Sequence, residues 1–306
     1  MSGRFAERTT FLIERKVKYL YLFLPVIFFL VTADLKAREA GTQILKWREL
    51  SDLPDTRGVA GAFSGISNDV LIVAGGTNFP EPLFKDGQVN PKAKKTWYDT
   101  VYVLKSGKDD WQTAEPLPYP LGYGASVTTP EGLVCIGGSN AREHFSEVFL
   151  LEFSAGNIKR TSLPALPGPA AHTAGALLGN TIYVAGGQSS PDSKEAMKNF
   201  WALDLSREDP CWHILEPWPG PGRILPVVAV QDGSFFLFSG CELLTDENGN
   251  VHRKYLTDGY RFTPHKGKPF TGRWTRVADV PIPVAGAPTC AGGRLVSAFS
   301  EPSSAP

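Results

Sequence analysis

The chain has 306 residues, with 31 basic and 31 acidic side chains and no net charge, and 42% of it is hydrophobic. That balance permits a substantial buried core and gives no basic face for nucleic acid. Four cysteines, at 135, 211, 241 and 290, form no CxxC pair, which argues against a zinc site or a disulfide framework. With 31 Gly and 25 Pro, and helical periodicity almost absent after residue 40, the class is all-β.

The N-terminus stands apart. Arg4, Arg8, Arg15, Lys16 and Lys18 precede an apolar run from Tyr19 to Val31, and Val31-Thr32-Ala33 reads as a small-residue cleavage site. This order predicts a secretory signal peptide over 1–33, with a linker over 34–43. The run is shorter than the roughly 20 residues that span a bilayer, so an uncleaved signal anchor is the alternative membrane reading. Either way the folded part, 44–306, is expected to be periplasmic or secreted.

A phrase then recurs. Apolar β-branched runs end in paired small residues at Gly75-Gly76, Gly137-Gly138 and Gly186-Gly187, with a weaker copy at Ser239-Gly240 and a degenerate one at Ala298-Phe299-Ser300. A strand ending in Gly-Gly at a period of about 50 residues predicts a kelch-type β-propeller. Blade one is expected from Arg57 to Pro118, blade two from Gly122 to Pro164, blade three from Pro169 to Pro219 and blade four from Gly222 to Pro281. Each outer strand ends at a Pro, where no ladder donor is lost. The glycine pairs and the Trp residues read as structural, and Cys135 as a small buried hydrophobe. At the ends, Lys46–Leu50 reads as an outer strand without its own blade, and Val284–Ser300 supplies two strands of a half blade. Propellers close by pairing their termini. The sequence therefore predicts four full blades, a half blade and an N-terminal outer strand, with the last sector missing, or lent by a second copy in a homodimer.

The stretch Pro54-Asp55-Thr56-Arg57-Gly58-Val59-Ala60-Gly61-Ala62-Phe63-Ser64-Gly65-Ile66-Ser67-Asn68-Asp69, followed by Leu71–Phe79, resembles the bacterial N-acetylneuraminate epimerases, the sialic acid mutarotases. The blade order resembles the cyclically permuted branch of that family, over about residues 44–300. The resemblance implies a six-bladed propeller, a periplasmic or secreted location, and interconversion of the α and β anomers of a small sugar acid. It implies no metal or organic cofactor. A six-bladed member continues past residue 300, and its last blade carries a Gly-Glu phrase followed by an arginine, the glutamate being the proton acceptor. No such phrase follows Ser300, so an inactive form is one expectation. Glu242, after Ser239-Gly240-Cys241, belongs to a different blade and does not inherit the role.

Mutarotation needs one group to take the anomeric proton and another to protonate the ring oxygen. A sugar carboxylate calls for an arginine fork. Residues just after the glycine pairs or before inner strands are candidates for the axial mouth: Arg57, Asn78, Glu81, Arg142, Glu143, His144, Arg223 and Glu242. Arg57, Arg142 and Arg223 are expected to contact substrate, with Arg57 and Arg223 at corresponding places on its carboxylate, and Asn78 is expected on a hydroxyl or N-acetyl group. The catalytic residue stays unassigned, with Glu143 and Glu242 as candidates. For each, the plain alternative is an exposed loop residue. The excursion Pro80–Trp97, with Lys85, Lys92, Lys94 and Lys95, suits a solvated loop or a lid near the mouth. The competing function is a non-catalytic kelch propeller that binds a protein or glycan. A copper oxidase is disfavoured, because the five histidines show no paired His and Tyr ligand set.

Overall fold

A computed structural model describes residues 49–55 and 57–286. The expected signal peptide, the linker, Lys46–Arg48 and the half-blade residues from 287 onward lie outside the described residues. The chain divides into a unit ending at Leu50 and one beginning at Ser51, and every described strand belongs to the second. Among the described residues all regular structure is β, and no helix is long and apolar enough to cross a membrane.

Four antiparallel four-stranded sheets succeed one another in chain order. Blade one comprises Phe63–Ser67, Val70–Ala74, Val101–Lys105 and Gln112–Ala114. Blade two comprises Ala125–Thr129, Gly132–Ile136, Val148–Ser154 and Asn157–Leu163. Blade three comprises Ala174–Leu178, Thr181–Ala185, Phe200–Asp204 and Trp212–Ile214. Blade four comprises Val227–Gln231, Ser234–Phe238, Gly259–His265 and Lys268–Val277. Tight two-residue turns join the first two strands, as at Asn68-Asp69 (φ 49° and 61°) and Asp232-Gly233 (φ 48° and 69°). Such left-handed pairs match the twist of the strands they connect.

The second strands of blades two and three are buried on both faces because these blades are covered on both faces. Along Gly132–Ile136, Leu133 and Cys135 pack with Phe63 and Ile72 of blade one, while Val134 and Ile136 pack with Ile182 and Val184 of blade three. The two-residue period of the strand thus feeds two different cores. A third core joins Tyr183 and Phe200 of blade three to Phe235, Leu237 and Phe262 of blade four. Cys135 is fully buried, and burial pushes its thiol pKa up, so it behaves as a hydrophobe.

The blades are also tied by hydrogen bonds at the rim. The indole N–H groups of Trp111, Trp212 and Trp274 donate to the carbonyls of Ser51, Pro164 and Glu216, at 2.8–2.9 Å. Each acceptor precedes the blade that carries the tryptophan.

Near the axis, the second glycine of each pair donates its N–H to the lead-in of the next blade: Gly76 to Leu121, Gly138 to Ala170, Gly187 to Arg223 and Gly240 to Val284, each at 2.8 Å. The first glycine makes room for this. A Cβ on Gly75, Gly137 or Gly186 would lie 2.1, 2.3 or 2.4 Å from the same carbonyl oxygens. The glycines are therefore required by the next blade's backbone rather than by crowding of inner strands. At the weaker copy Ser239 takes the first position, and its hydroxyl accepts the Val284 N–H and donates to the Leu256 carbonyl.

Substituting Gly137→Ala combines a left-handed φ of 60° with that contact. The expected cost is about 2 kcal/mol or more, read as a lowered urea midpoint. The same change at Gly179, also left-handed but in open space, is expected to cost less.

Candidate axial site

The loops from second to third strand, 77–100, 138–147, 187–199 and 239–258, leave the blades on one face together with the lead-ins to each inner strand. The sequence-predicted residues all fall on this face, but the structure does not gather them into one site. Asn78 is committed to local structure: its amide donates to Gly58 O at 3.0 Å and Asp55 Oδ2 at 3.4 Å, and Tyr98 Oη donates to its Oδ1 at 2.7 Å. Arg57 is exposed beside it, its backbone N–H on Asp55 Oδ1. Arg142 and Glu143 are exposed at a loop tip, both backbone N–H groups donating to Asn140 Oδ1. Glu81 is exposed, and Glu242 pairs with Lys254 at 3.2 Å.

Arg223 is a correction. It is fully buried and forms a two-pronged ion pair with Asp258, both contacts at 2.9 Å, while Nη1 also donates to the Ser239 carbonyl. Its guanidinium lies 5.4 Å from the Trp218 ring and 5.6 Å from that of Tyr260. Burial alone would raise the Asp258 pKa, but the Arg223 fork overrides it and holds the carboxyl below its usual range. Arg223 and Arg57 are also not equivalent. The bridges Ala60↔Thr77 and Ile224↔Cys241 align Arg223 with Val59, two residues past Arg57.

What the structure does assemble is a hydrogen-bonded column of lead-in residues, one from each blade in turn. Tyr123 N–H donates to Gly61 O, His172 N–H to Tyr123 O, Leu225 N–H to His172 O and Gly286 N–H to Leu225 O, at 2.6–3.1 Å. All five residues have φ between 52° and 69°. This repeated left-handed step lies two residues before each of the four described inner strands, an offset from which the column could have been found. The residues there are Gly, Tyr, His and Leu before the four strands and Gly again at 286, so no repeating motif marks the step.

The Tyr123 and His172 rings meet with centroids 4.7 Å apart and planes tilted by 43°, and His144 meets His172 edge-on at 6.1 Å. Tyr123 Oη lies 3.1 Å from Thr77 Oγ1. Lys95, returning from the blade-one excursion, sets its Nζ 3.9 Å from the Tyr123 ring centroid. His144 Nδ1 donates to the Gln188 carbonyl at 2.9 Å, whereas His172 Nδ1 is buried and has no hydrogen-bond partner among the described residues. Burial first, then the charges of His144, Lys95 and Arg253, push the His172 pKa down to about 3. Burial lowers that of His144 as well. Both imidazoles are thus neutral near pH 7, and His172 resists protonation well into acid. Beside the column lies a cavity of about 440 Å³, within the usual range for small ligands. Its lining includes Gln188, Ile224, Leu243 and Arg253. Among the described residues no group of three or more His, Cys, Asp or Glu side chains could hold a metal.

Residues 28–159 match the N-acetylneuraminate epimerase family model. That span supplies Lys95, Tyr123 and His144 to the column, and it is narrower than the resemblance read from the repeats. N-acetylneuraminate epimerase of Vibrio cholerae is 36% identical over 139 residues, covering 42% of this chain and 35% of that protein. The Yersinia enterocolitica and Haemophilus influenzae N-acetylneuraminate epimerases are each 36% identical over 116 residues, covering 35% of this chain and 29% and 30% of theirs. The matched stretch therefore spans about a third of the length of these curated relatives. The fold likeness is wider. The solved structure of YjhT superposes with a TM-score of 0.65 at 14% identity, covering 82% of this chain and 79% of that one. The fold is that of a kelch-type β-propeller.

The geometry sets two expected outcomes. Arg223→Met, which strands Asp258, is expected to cost about 3–5 kcal/mol, while Arg57→Met stays within about 0.5 kcal/mol; urea midpoints check both. Between pH 6.5 and 3 an unfolded His172 binds a proton that the folded one refuses, so stability falls as pH drops below about 6.5. His144, lowered too, adds the same sign. His172→Gln is expected to flatten the stability profile between about pH 7.5 and 5.

Proposed function

We propose that this protein is a sialic acid mutarotase, interconverting the α and β anomers of N-acetylneuraminate at the axial mouth. The observation that carries the reading is the family match, which falls on the two blades that deliver Lys95, Tyr123 and His144 to the column. The chemistry is modest. Opening the hemiketal needs a base at the anomeric hydroxyl and an acid at the ring oxygen, exchanged on closure. The neutral imidazole of His144 suits the first task, and water or Tyr123 can serve the second. On this reading the basic and apolar N-terminal stretch is a signal peptide, and the enzyme works in a periplasm or outside the cell.

One observation favours a second reading, binding of a glycan without turnover. The two glutamates expected as bases are elsewhere, Glu143 at an exposed tip and Glu242 held by Lys254. Proton NMR of freshly dissolved α-N-acetylneuraminate separates the two. Faster anomer equilibration with the protein is expected. Saturable binding with an unchanged rate would select the second reading, and neither effect would remove both.

A further inference from the structure

Blade three ends early at the rim. Its outer strand, Trp212–Ile214, has three residues, whereas that of blade four, Lys268–Val277, has ten. The turn end of the longer strand is fastened back onto blade three. Tyr183 Oη donates to Pro269 O at 2.7 Å, and Phe270 stacks on His213 with centroids 3.6 Å apart. Between this strand and residues 216–219 lies a cavity of about 600 Å³. Its floor is aromatic. Trp218 and Phe262 are buried, while Phe270 and Trp274 are half-buried and leave ring surface open. Lys198, Glu216, His265 and Arg273 also line it, all exposed. Among the described residues no ion pair includes Lys198, Glu216 or Arg273. An apolar concavity with a few polar groups around it is the usual build of a small-ligand site.

The donors decide the kind of ligand. An extended proline-rich peptide offers mainly carbonyl acceptors to an aromatic groove, and indole N–H groups are the donors such a groove supplies. Here both are spent, Trp218 on Pro221 O and Trp274 on Glu216 O, each at 2.9 Å. What remains is a carboxylate that only accepts, beside cations that only donate. A pyranose uses both. Its hydroxyls donate and accept around the ring, and its C–H groups form an apolar side that aromatic carbon can cover.

We propose that this rim cavity is a saccharide-binding site, with the apolar side of a pyranose against the Phe270 and Trp274 floor and its hydroxyls shared between Glu216 and Arg273. Glu216 follows the outer strand of blade three, and Phe270, Arg273 and Trp274 come from that of blade four, so two blades hold one sugar. No residue of the site belongs to the column, and all of them lie outside the stretch 28–159 that matches the family model. The site therefore stands whether or not the protein exchanges anomers.

The test uses methyl glycosides, whose locked anomeric centre cannot mutarotate: methyl β-galactoside, methyl β-N-acetylglucosaminide and the methyl α-glycoside of N-acetylneuraminate. A proline hexapeptide is the competing probe. Calorimetry and saturation-transfer NMR read binding. At least one glycoside is expected to bind, with transfer strongest at its ring C–H protons. Glu216→Met and Arg273→Met are surface changes that leave the fold intact. Each is expected to weaken that glycoside about tenfold or more, as for loss of a hydrogen bond to a charged group. Arg261 precedes Phe262 in its strand and so points to the opposite face, and Arg261→Met is expected to change affinity less than about twofold. Peptide binding without glycoside binding, no binding of any probe, or wild-type glycoside affinity in either cavity variant would overturn the proposal. Glycoside binding with the expected losses, but no acceleration of anomer exchange, would support this site and count against the mutarotase reading alone.

Discussion

The fold hangs on a single backbone contact repeated from blade to blade: a glycine N–H meeting the carbonyl of the next lead-in. Four copies are made, by Gly76, Gly138, Gly187 and Gly240. At this spot two chains approach so closely that three of the preceding glycines could not carry even a methyl group without displacing a carbonyl. Everything else is conditional on that approach. It brings the faces of consecutive sheets together, which lets alternate residues of one strand fill two cores. It also sets the lead-ins of successive blades side by side, so that Tyr123, His172 and Leu225 join in one run of backbone hydrogen bonds. Hydrophobic burial supplies most of the driving force, but it is non-directional, and the glycine contact fixes where each sheet sits against the next.

This explains which features could be read from the chain. The Gly-Gly phrase is visible because in three blades its requirement is strict: a side chain at Gly137 collides with backbone, which cannot swing away. Trp212 and Trp274 are visible because a large ring with one donor fits a rim position between sheets. Ser239 shows how a departure from the phrase is absorbed, its hydroxyl taking over the Val284 N–H. The axial column was not visible. Its constraint falls on φ alone, and Gly61, Tyr123, His172, Leu225 and Gly286 meet it with unrelated side chains. Non-glycine residues carry a strain there that neighbouring bonds must hold.

The candidate site was legible only in part. An arginine before an inner strand looks available to solvent until its partner is known, and Asp258 lies 35 residues from Arg223. The pair ties the lead-in of blade four to that blade's own loop and leaves no charge for a ligand. Asn78 is similar: its hydrogen bonds to Gly58 and Tyr98 are long-range in sequence and short in space. His144 follows a glycine pair and so is marked as a candidate, whereas nothing local to its neighbour His172 marks function. The chemistry of the mouth arises from the juxtaposition of separate loops, each ordinary alone.

One asymmetry in the rim and axial bonds has a consequence for synthesis. Trp111, Trp212 and Trp274 all reach toward chain already made, and so do the amides of Tyr123, His172, Leu225 and Gly286. At these contacts the finished sheet offers acceptors and the newcomer brings the donors, while at the glycine contact the roles are reversed. A polypeptide emerging N-terminus first would thus find each docking surface waiting for it, and the ring would grow in one direction, as bricks are laid onto a standing course.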